Sequence, residues 1–443
     1  MIDEKIFKSY DVRGIYPTQI NGEAAFKIGQ AFADYIGSDI VVGRDMRTSS
    51  DEIFENFAKG VNSLGFNVVE LGLCTTPMLN FAVASRNFKG GAMITASHNP
   101  AEYNGIKLIG EKAVQLSKNK GITEIKELTL NKKFETSNKP GAIQELDILG
   151  DYVNWLASKI GEVKKFKIVV DCGNGVAGIS AKPVFEKLGL DVEELYYEPD
   201  GTFPNHAANP AEDENLKDAE EKVKQTKADL GIVFDGDGDR AFFIDEFGKT
   251  HNVGFLLAAI AEHELKNKPG EKIYYDLRFS KGVVDTIKKA GGIPIRTKVG
   301  NPFYKEHLIL EGGLMAAEYS GHFMYKEHYG LDDGLFSALK VMYWLTKTGK
   351  TYSEFLAPYE KNRFVTGEIN VKTEESGKII NKLKEKYKDG KFDELDGITV
   401  EYPDWWFNLR SSNTEPVVRL NIEADNFELL SEKKEELLDI ING

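Results

Sequence analysis

The chain has 443 residues, 41% of them hydrophobic and 28% charged, with 42 Gly and 14 Pro. That balance excludes a disordered, collagen-like or coiled-coil chain, and at roughly 100–200 residues per domain the length predicts three or four domains. Lys plus Arg number 56 against 70 Asp plus Glu, a formal net charge of −14. Such a surface repels phosphodiester backbones and anionic lipid, so neither nucleic acid nor a membrane is an expected partner. An anionic substrate must meet a local basic pocket.

The two cysteines, Cys74 and Cys172, have neither metal nor redox spacing. Residues 1–10 lack the apolar core of a signal peptide. The longest apolar run, residues 253–261, is far short of a membrane span. A cytoplasmic protein is expected, as a monomer or a homo-oligomer.

In chain order, three segments share one plan. Residues 39–43 predict a buried strand, 44–50 a polar loop, then a helix through Leu64, Gly65, and a second strand over 66–71. Residues 167–171 repeat it with a glycine-rich loop over 172–178, a helix to Leu188, Gly189, and a strand over 190–196. Residues 272–276 do so again, with a loop over 277–280, a helix to Ala290, Gly291-Gly292, and a strand over 293–299. Each is a βαβ unit, because buried parallel strands are continuously apolar and the crossover helix ends at a glycine. The loop after each first strand falls at the sheet's carboxyl end, where α/β folds place ligands. From Arg363 the grammar changes to strands over 364–371, 398–401, 405–409 and 417–422, with helices over 374–387 and 426–441. The fold class is therefore α/β: three related α/β domains with mixed sheets (1–150, 151–250 and 251–360), plus a C-terminal α+β domain (361–443).

The sharpest motif is Asp235-Gly236-Asp237-Gly238-Asp239-Arg240, between two apolar strands. Three alternate carboxylates need a hard cation to relieve their repulsion, and the glycines let them converge. An EF-hand loop is excluded, because its sixth position requires Gly and here is Arg240, and because the flanks are strands. Three carboxylates with open positions suit Mg²⁺ shared with a phosphate. Thr95-Ala96-Ser97-His98-Asn99-Pro100 ends another apolar run, so Ser97 can act as a nucleophile or carry a phosphate. Lys107 can neutralise that phosphate or move a proton. Arg410-Ser411-Ser412-Asn413-Thr414-Glu415-Pro416 combines an Arg, hydroxyls and an amide in a loop, a set that holds phosphate or simply makes a polar hairpin. Glu318-Tyr319-Ser320-Gly321-His322 offers groups for vicinal sugar hydroxyls. Tyr10, Arg13 and Arg278 lie near expected sheet ends, and His206 reads as a loop-packing residue.

Together these motifs resemble the α-D-phosphohexomutase family, most closely its phosphomannomutase/phosphoglucomutase branch. The likeness runs nearly end to end, one signature per domain. It implies four domains around one cleft and a reaction that interconverts hexose 1-phosphate and hexose 6-phosphate, with mannose or glucose as the sugar. It implies phosphoserine at Ser97, Mg²⁺ on Asp235, Asp237 and Asp239 against Ser97, and a hexose 1,6-bisphosphate as activator and intermediate. Arg13, His98 and Lys107 would surround the reacting group, with Lys107 or His322 as general acid–base. Tyr10, Arg240, Arg278, Glu318 and Ser320 would contact the substrate, and Arg410, Ser412, Asn413 and Thr414 its phosphate. Ala317 replaces a usual Gly, Ala207 and Ala208 alter the segment after Phe203-Pro204-Asn205-His206, and Asn301 stands where some members carry a phosphate-contacting His. The alternatives are phosphoglucosamine mutase, against which Tyr319 argues because that branch usually has Gln there, a metal-dependent sugar phosphatase, and a non-enzymatic sugar-phosphate sensor.

Overall fold

The computed structural model describes residues 2–361, 363–373, 375–411 and 417–442. The chain divides into two compact units. One comprises Met1–His251, Lys305–Ala316 and Ser320–Ser353; the other comprises Asn252–Tyr304, Ala317–Tyr319 and Glu354–Gly443.

The first unit contains a mixed sheet of β1 (Val12–Ile15), β2 (Ile40–Arg44), β3 (Val68–Leu73), β4 (Gly91–Ile94), β5 (Tyr103–Ile109) and β6 (Ile143–Glu145), in the order β1-β5-β4-β2-β3-β6. β2 runs parallel to β3 and β4, whereas β5 is antiparallel to β4 and β1. Three helices matter here: α1 (Gly22–Ile36), α2 (Ser50–Ser63) and α3 (Thr76–Arg86). α2 is the crossover of the first predicted βαβ unit. α1 begins where the Asn21 side chain accepts the Ala24 N–H and stops at Gly37, whose φ of 65° no longer continues a helix. Its apolar face, with Ile28 and Phe32, packs on Phe57 and Val61 of α2 in one fully buried core.

A second sheet follows: β7 (Lys167–Asp171), β8 (Asp191–Leu195), β9 (Leu230–Phe234) and β10 (Ala241–Ile244), in the order β10-β9-β7-β8. β7 and β9 are parallel, and β10 is an antiparallel edge. β9 is buried at every residue, as its unbroken apolar run predicts. The tight turn from β9 to β10 carries the three aspartates.

In the second unit, Lys272–Asp276 pairs in parallel with Ile293–Thr297 across the helix Lys281–Lys289, the third predicted repeat. The tail is antiparallel. Trp405–Ser411 lies between Ile398–Glu401 and Val417–Ala424, with helices Ser376–Lys386 and Phe427–Asn442. Leu383, Phe407, Leu409, Leu420 and Leu437 form its buried core. The strand expected over 364–371 is two strands, Phe364–Val365 and Ile369–Lys372, both pairing with Val417–Ala424. The break falls at Gly367, where φ is 70°. The chain is thus three related α/β domains followed by an α+β domain. Among the described residues no helix is long and apolar enough to cross a membrane.

Candidate active site

Ser97 sits in the turn that follows β4, at the carboxyl end of the first sheet. It is buried and has a φ of 53°, a left-handed conformation that costs a non-glycine residue free energy. Its N–H donates to Thr95 Oγ1 at 2.8 Å, and Arg47 Nη2 donates to its carbonyl at 2.9 Å. Arg47 also donates to the carbonyls of Asn99, Pro100 and Tyr103, so a single buried guanidinium satisfies the whole turn. Asp45 pairs with that guanidinium at 3.2 Å. The Ser97 hydroxyl lies 3.1 Å from Asp235 Oδ2 and 3.1 Å from His98 Nδ1. Burial and the Arg240 and Arg13 charges hold His98 well below the ordinary imidazole range, so the ring beside the hydroxyl is neutral.

The aspartate turn approaches Ser97 through a glycine. A Cβ on Gly236 would stand 2.6 Å from the Ser97 carbonyl oxygen, closer than any side chain allows. Carboxylate oxygens of Asp235, Asp237 and Asp239 lie within 4.8 Å of one another, all three residues buried. Each carboxylate is held by a neighbouring cation. Asp235 accepts from the Arg240 backbone N–H at 3.1 Å and from Arg240 Nε at 2.9 Å. Lys107 Nζ donates to Asp237 Oδ2 and to Asp239 Oδ2, both at 2.6 Å. Burial works to lower the Lys107 pKa, but the two aspartates outweigh it and raise it above its ordinary range, so the ammonium stays charged. Burial, with the neighbouring Asp239 and Asp237 charges, pushes Asp235 up to about 7 against the pull of Arg240. Asp237 Oδ1 is buried without a hydrogen-bond partner among the described residues. Asp239 Oδ1 is likewise buried without a hydrogen-bond partner among the described residues, and converging hard oxygens, two of them orphaned, fit a divalent cation such as Mg²⁺.

His322 stands beside this cluster, its Nε2 3.3 Å from Asp239 Oδ1 and its Nδ1 3.0 Å from Ser320 Oγ. Asp332 lies within 4.8 Å of both Asp239 and His322 and is paired at 2.8 Å with the fully buried Lys305. Arg13, on β1, donates to Asn99 Oδ1 at 2.6 Å and to Asp11 Oδ2 at 2.5 Å. The bond to Asn99 ties its guanidinium to the Ser97 turn. Tyr10 precedes β1, its carbonyl accepting from Gln115 Nε2. His206 packs a loop on β7 through Asp171, at 3.1 Å.

The second unit holds a separate cluster. Arg278 donates to Asp276 Oδ2 at 2.6 Å and reaches Glu318 Oε1 at 3.4 Å. Glu368 accepts from Arg410 Nη2 at 2.8 Å and from Arg419 Nη1 at 3.3 Å, with Arg278 Nη1 at 3.7 Å. Burial works to raise the Glu368 pKa, but the Arg278 and Arg410 charges override it and hold the carboxylate below its usual range. Asn252 donates to the Tyr319 hydroxyl at 2.7 Å. Asn301 opens the helix Asn301–Leu310. Ser412, Asn413 and Thr414, expected at the phosphate, lie outside the described residues.

Ser97, His98, Lys107, Arg13, the three aspartates, Arg240, Ser320 and His322 thus fall in the first unit. Arg278, Glu318 and Arg410 fall in the second. Sequence reasoning missed Arg47, Thr76, Lys305, Asp332 and Glu368. Arg47 had a signal, its place in the loop at the carboxyl end of β2, and Thr76 had another, the Thr-Thr-Pro helix start. Lys305, Asp332 and Glu368 had none.

Known proteins bear on this geometry. The chain matches phosphoglucomutase/phosphomannomutase alpha/beta/alpha domain I over residues 4–136, domain II over 150–248 and domain III over 251–362, and the C-terminal domain over 368–440. It is 36% identical to a phosphomannomutase of Methanocaldococcus jannaschii over 450 residues, 99% of this chain and 98% of the relative. It is 36% identical to a phosphomannomutase/phosphoglucomutase of Pseudomonas aeruginosa, over 97% of this chain and 94% of that one. A crystal structure of a phosphoglucomutase/phosphomannomutase family protein from Burkholderia thailandensis superposes with a TM-score of 0.91 at 33% identity, covering 100% of this chain and 98% of the other. Matches in all four domains, in order and over essentially the whole length, leave one conclusion: the chain belongs to the phosphoglucomutase/phosphomannomutase family of hexose phosphate mutases.

Proposed function

We propose that the chain interconverts the 1- and 6-phosphates of mannose or glucose through a phosphoryl group carried on Ser97. The observation that carries this reading is the Ser97 hydroxyl, held in a left-handed turn 3.1 Å from Asp235 within a buried triad of carboxylates. The free hydroxyl of a hexose monophosphate attacks phosphorus, the bond from phosphorus to Ser97 Oγ breaks, and the serine oxygen takes up a proton. The resulting 1,6-bisphosphate turns over, and its other phosphate returns to Ser97 by the reverse step.

The residues divide this work. Lys107, Arg13 and Arg240 offset the charge of the phosphoryl group, and neutral His98 positions the serine oxygen. Lys107, kept protonated by Asp237 and Asp239, suits electrostatic stabilisation of an oxyanion more than proton transfer. His322, oriented by Ser320 and Asp239, is the group left to accept the proton of the attacking hydroxyl. Glu318, Ser320, Tyr10 and Arg278 read the sugar, and Arg410 with residues 412–414 holds the phosphate that does not react. Asp235, Asp237 and Asp239 would hold Mg²⁺, which supplies positive charge for the transferring group when bound. Hexose 1,6-bisphosphate serves as activator because it phosphorylates the free serine.

The test joins intact-mass analysis with conversion assays. Glucose, mannose and glucosamine 1-phosphates are each supplied with Mg²⁺ and a trace of hexose 1,6-bisphosphate. A phosphate adduct absent from Ser97→Ala, with turnover lower by orders of magnitude in that variant, supports the reading. Undiminished turnover in Ser97→Ala overturns it. Preferred use of the glucosamine ester overturns the choice of sugar.

A further inference from the structure

Helix α3 begins at the aspartate turn. Thr75 caps it, its side chain accepting the Met78 N–H at 3.2 Å. Pro77 has no N–H to satisfy. That leaves Thr76, which is 2% exposed and spends both its donors on one residue. Its backbone N–H donates to the Asp237 carbonyl at 3.0 Å, and its hydroxyl donates to Asp237 Oδ2 at 2.5 Å. The same Oδ2 accepts from Lys107 Nζ. Asp237 is therefore saturated on one oxygen while the other, Oδ1, is buried and has no hydrogen-bond partner among the described residues. A carboxylate free to rotate about χ2 would share such donors between its oxygens. Two donors fixed on one side, one from a helix terminus and one from a lysine that bridges to Asp239, define which oxygen stays bare.

We propose that Thr76 is a positioning residue for the metal centre: it orients Asp237 so that Oδ1 is presented to a divalent cation. This rests on the reading of the three aspartates as the Mg²⁺ site. Thr76 touches neither substrate nor cation, and it acts through Asp237 as outer-shell partners act on metal ligands. The hydroxyl carries the effect, because the backbone bond survives any substitution except proline. Valine at position 76 keeps the volume and branching of threonine and removes only the donor. Serine keeps the donor and removes a methyl group.

The test is a Mn²⁺ titration of the full-length chain followed by electron paramagnetic resonance, with Mn²⁺ as a spectroscopic stand-in for Mg²⁺. Thr76→Val is expected to raise the Mn²⁺ dissociation constant by about 10–100-fold, and Thr76→Ser to restore it to within about threefold of the parent. Circular dichroism in chelator reports whether each variant is folded; if the valine variant is not, Thr76→Ala takes its place in the same comparison. Binding by folded Thr76→Val or Thr76→Ala as tight as the parent's overturns the proposal. So does Thr76→Ser weakened as much as Thr76→Val, because packing and not the hydroxyl would then be responsible. Asp237→Asn separates the two layers of argument. If the parent chain binds Mn²⁺ no better than Asp237→Asn, the metal reading itself falls and takes the proposal with it.

Discussion

The Arg47 guanidinium donates to the carbonyl oxygen of Ser97 at 2.9 Å from a fully buried position. Because its other N–H groups serve the carbonyls of Asn99, Pro100 and Tyr103, the turn presenting the Ser97 hydroxyl is organised around one planar fork. Thr95 fixes the Ser97 N–H from the other side. The position of the Ser97 hydroxyl is thereby set by groups to which the proposed function gives no part in phosphoryl transfer.

Arg47→Lys keeps the charge but replaces five directed donors by a point ammonium. The Ser97 turn relaxes, and a displacement near 1 Å lowers kcat by about 100-fold, while KM for the hexose phosphate changes little. Steady-state kinetics on the folded variant provide the check; a fall in kcat/KM that comes entirely from KM would contradict this account.

On the proposed reading, Mg²⁺ would bind the folded triad and not the unfolded chain, and so would stabilise the native state by mass action. At a concentration 100 times its dissociation constant the gain is about 2.7 kcal/mol, read as a rise in melting temperature that chelator reverses. Asp237→Asn is expected to melt at one temperature with or without the cation.

Lys305 has no exposed surface, and its ammonium rests on Asp332, itself near Asp239 and His322. Lys305→Met removes the ammonium from a buried carboxylate and costs about 3–5 kcal/mol. Adding Asp332→Asn recovers much of that loss, since an amide needs no counter-charge. Urea unfolding of the two variants gives the comparison, and an equal loss in both would remove the ion pair as the cause.

Glu368 is held below its ordinary range by arginines, so its contribution to stability is present at neutral pH. It is lost as pH falls from about 4.3 toward the depressed folded-state value. Glu368→Gln is expected to destabilise the chain by about 1–3 kcal/mol at pH 7, and the gap from the parent closes on acidification. Unfolding curves at pH 7 and at successively lower pH measure it; a gap that widens toward acid would reverse the assignment.

The residues legible in the sequence are those whose chemistry is written in consecutive positions. Asp235, Asp237 and Asp239 alternate with glycine between two apolar runs, and that spacing alone implies convergence. The three βαβ repeats were equally readable, because a buried parallel strand and a glycine-terminated helix leave periodic marks. Lys305 and Asp332 are different: their pairing spans 27 positions and nothing local marks either one. Glu368 was hidden by an error of element. It falls in what the apolar pattern suggested was one strand over 364–371, whereas Gly367 turns the chain and sends Glu368 to the arginines. Thr76 was visible only as a helix start, and its second partner, 161 residues away, required the fold.

Ser97 occupies a backbone conformation that glycine adopts freely and serine adopts at a cost of about 1–2 kcal/mol. The most economical way to make this turn more stable is therefore to replace the residue to which we assign the chemistry. Selection for heat resistance alone would drift toward glycine at position 97 and arrive at a sturdier, silent protein. On the proposed function, a hydroxyl set there against the backbone's own preference serves reactivity and not folding.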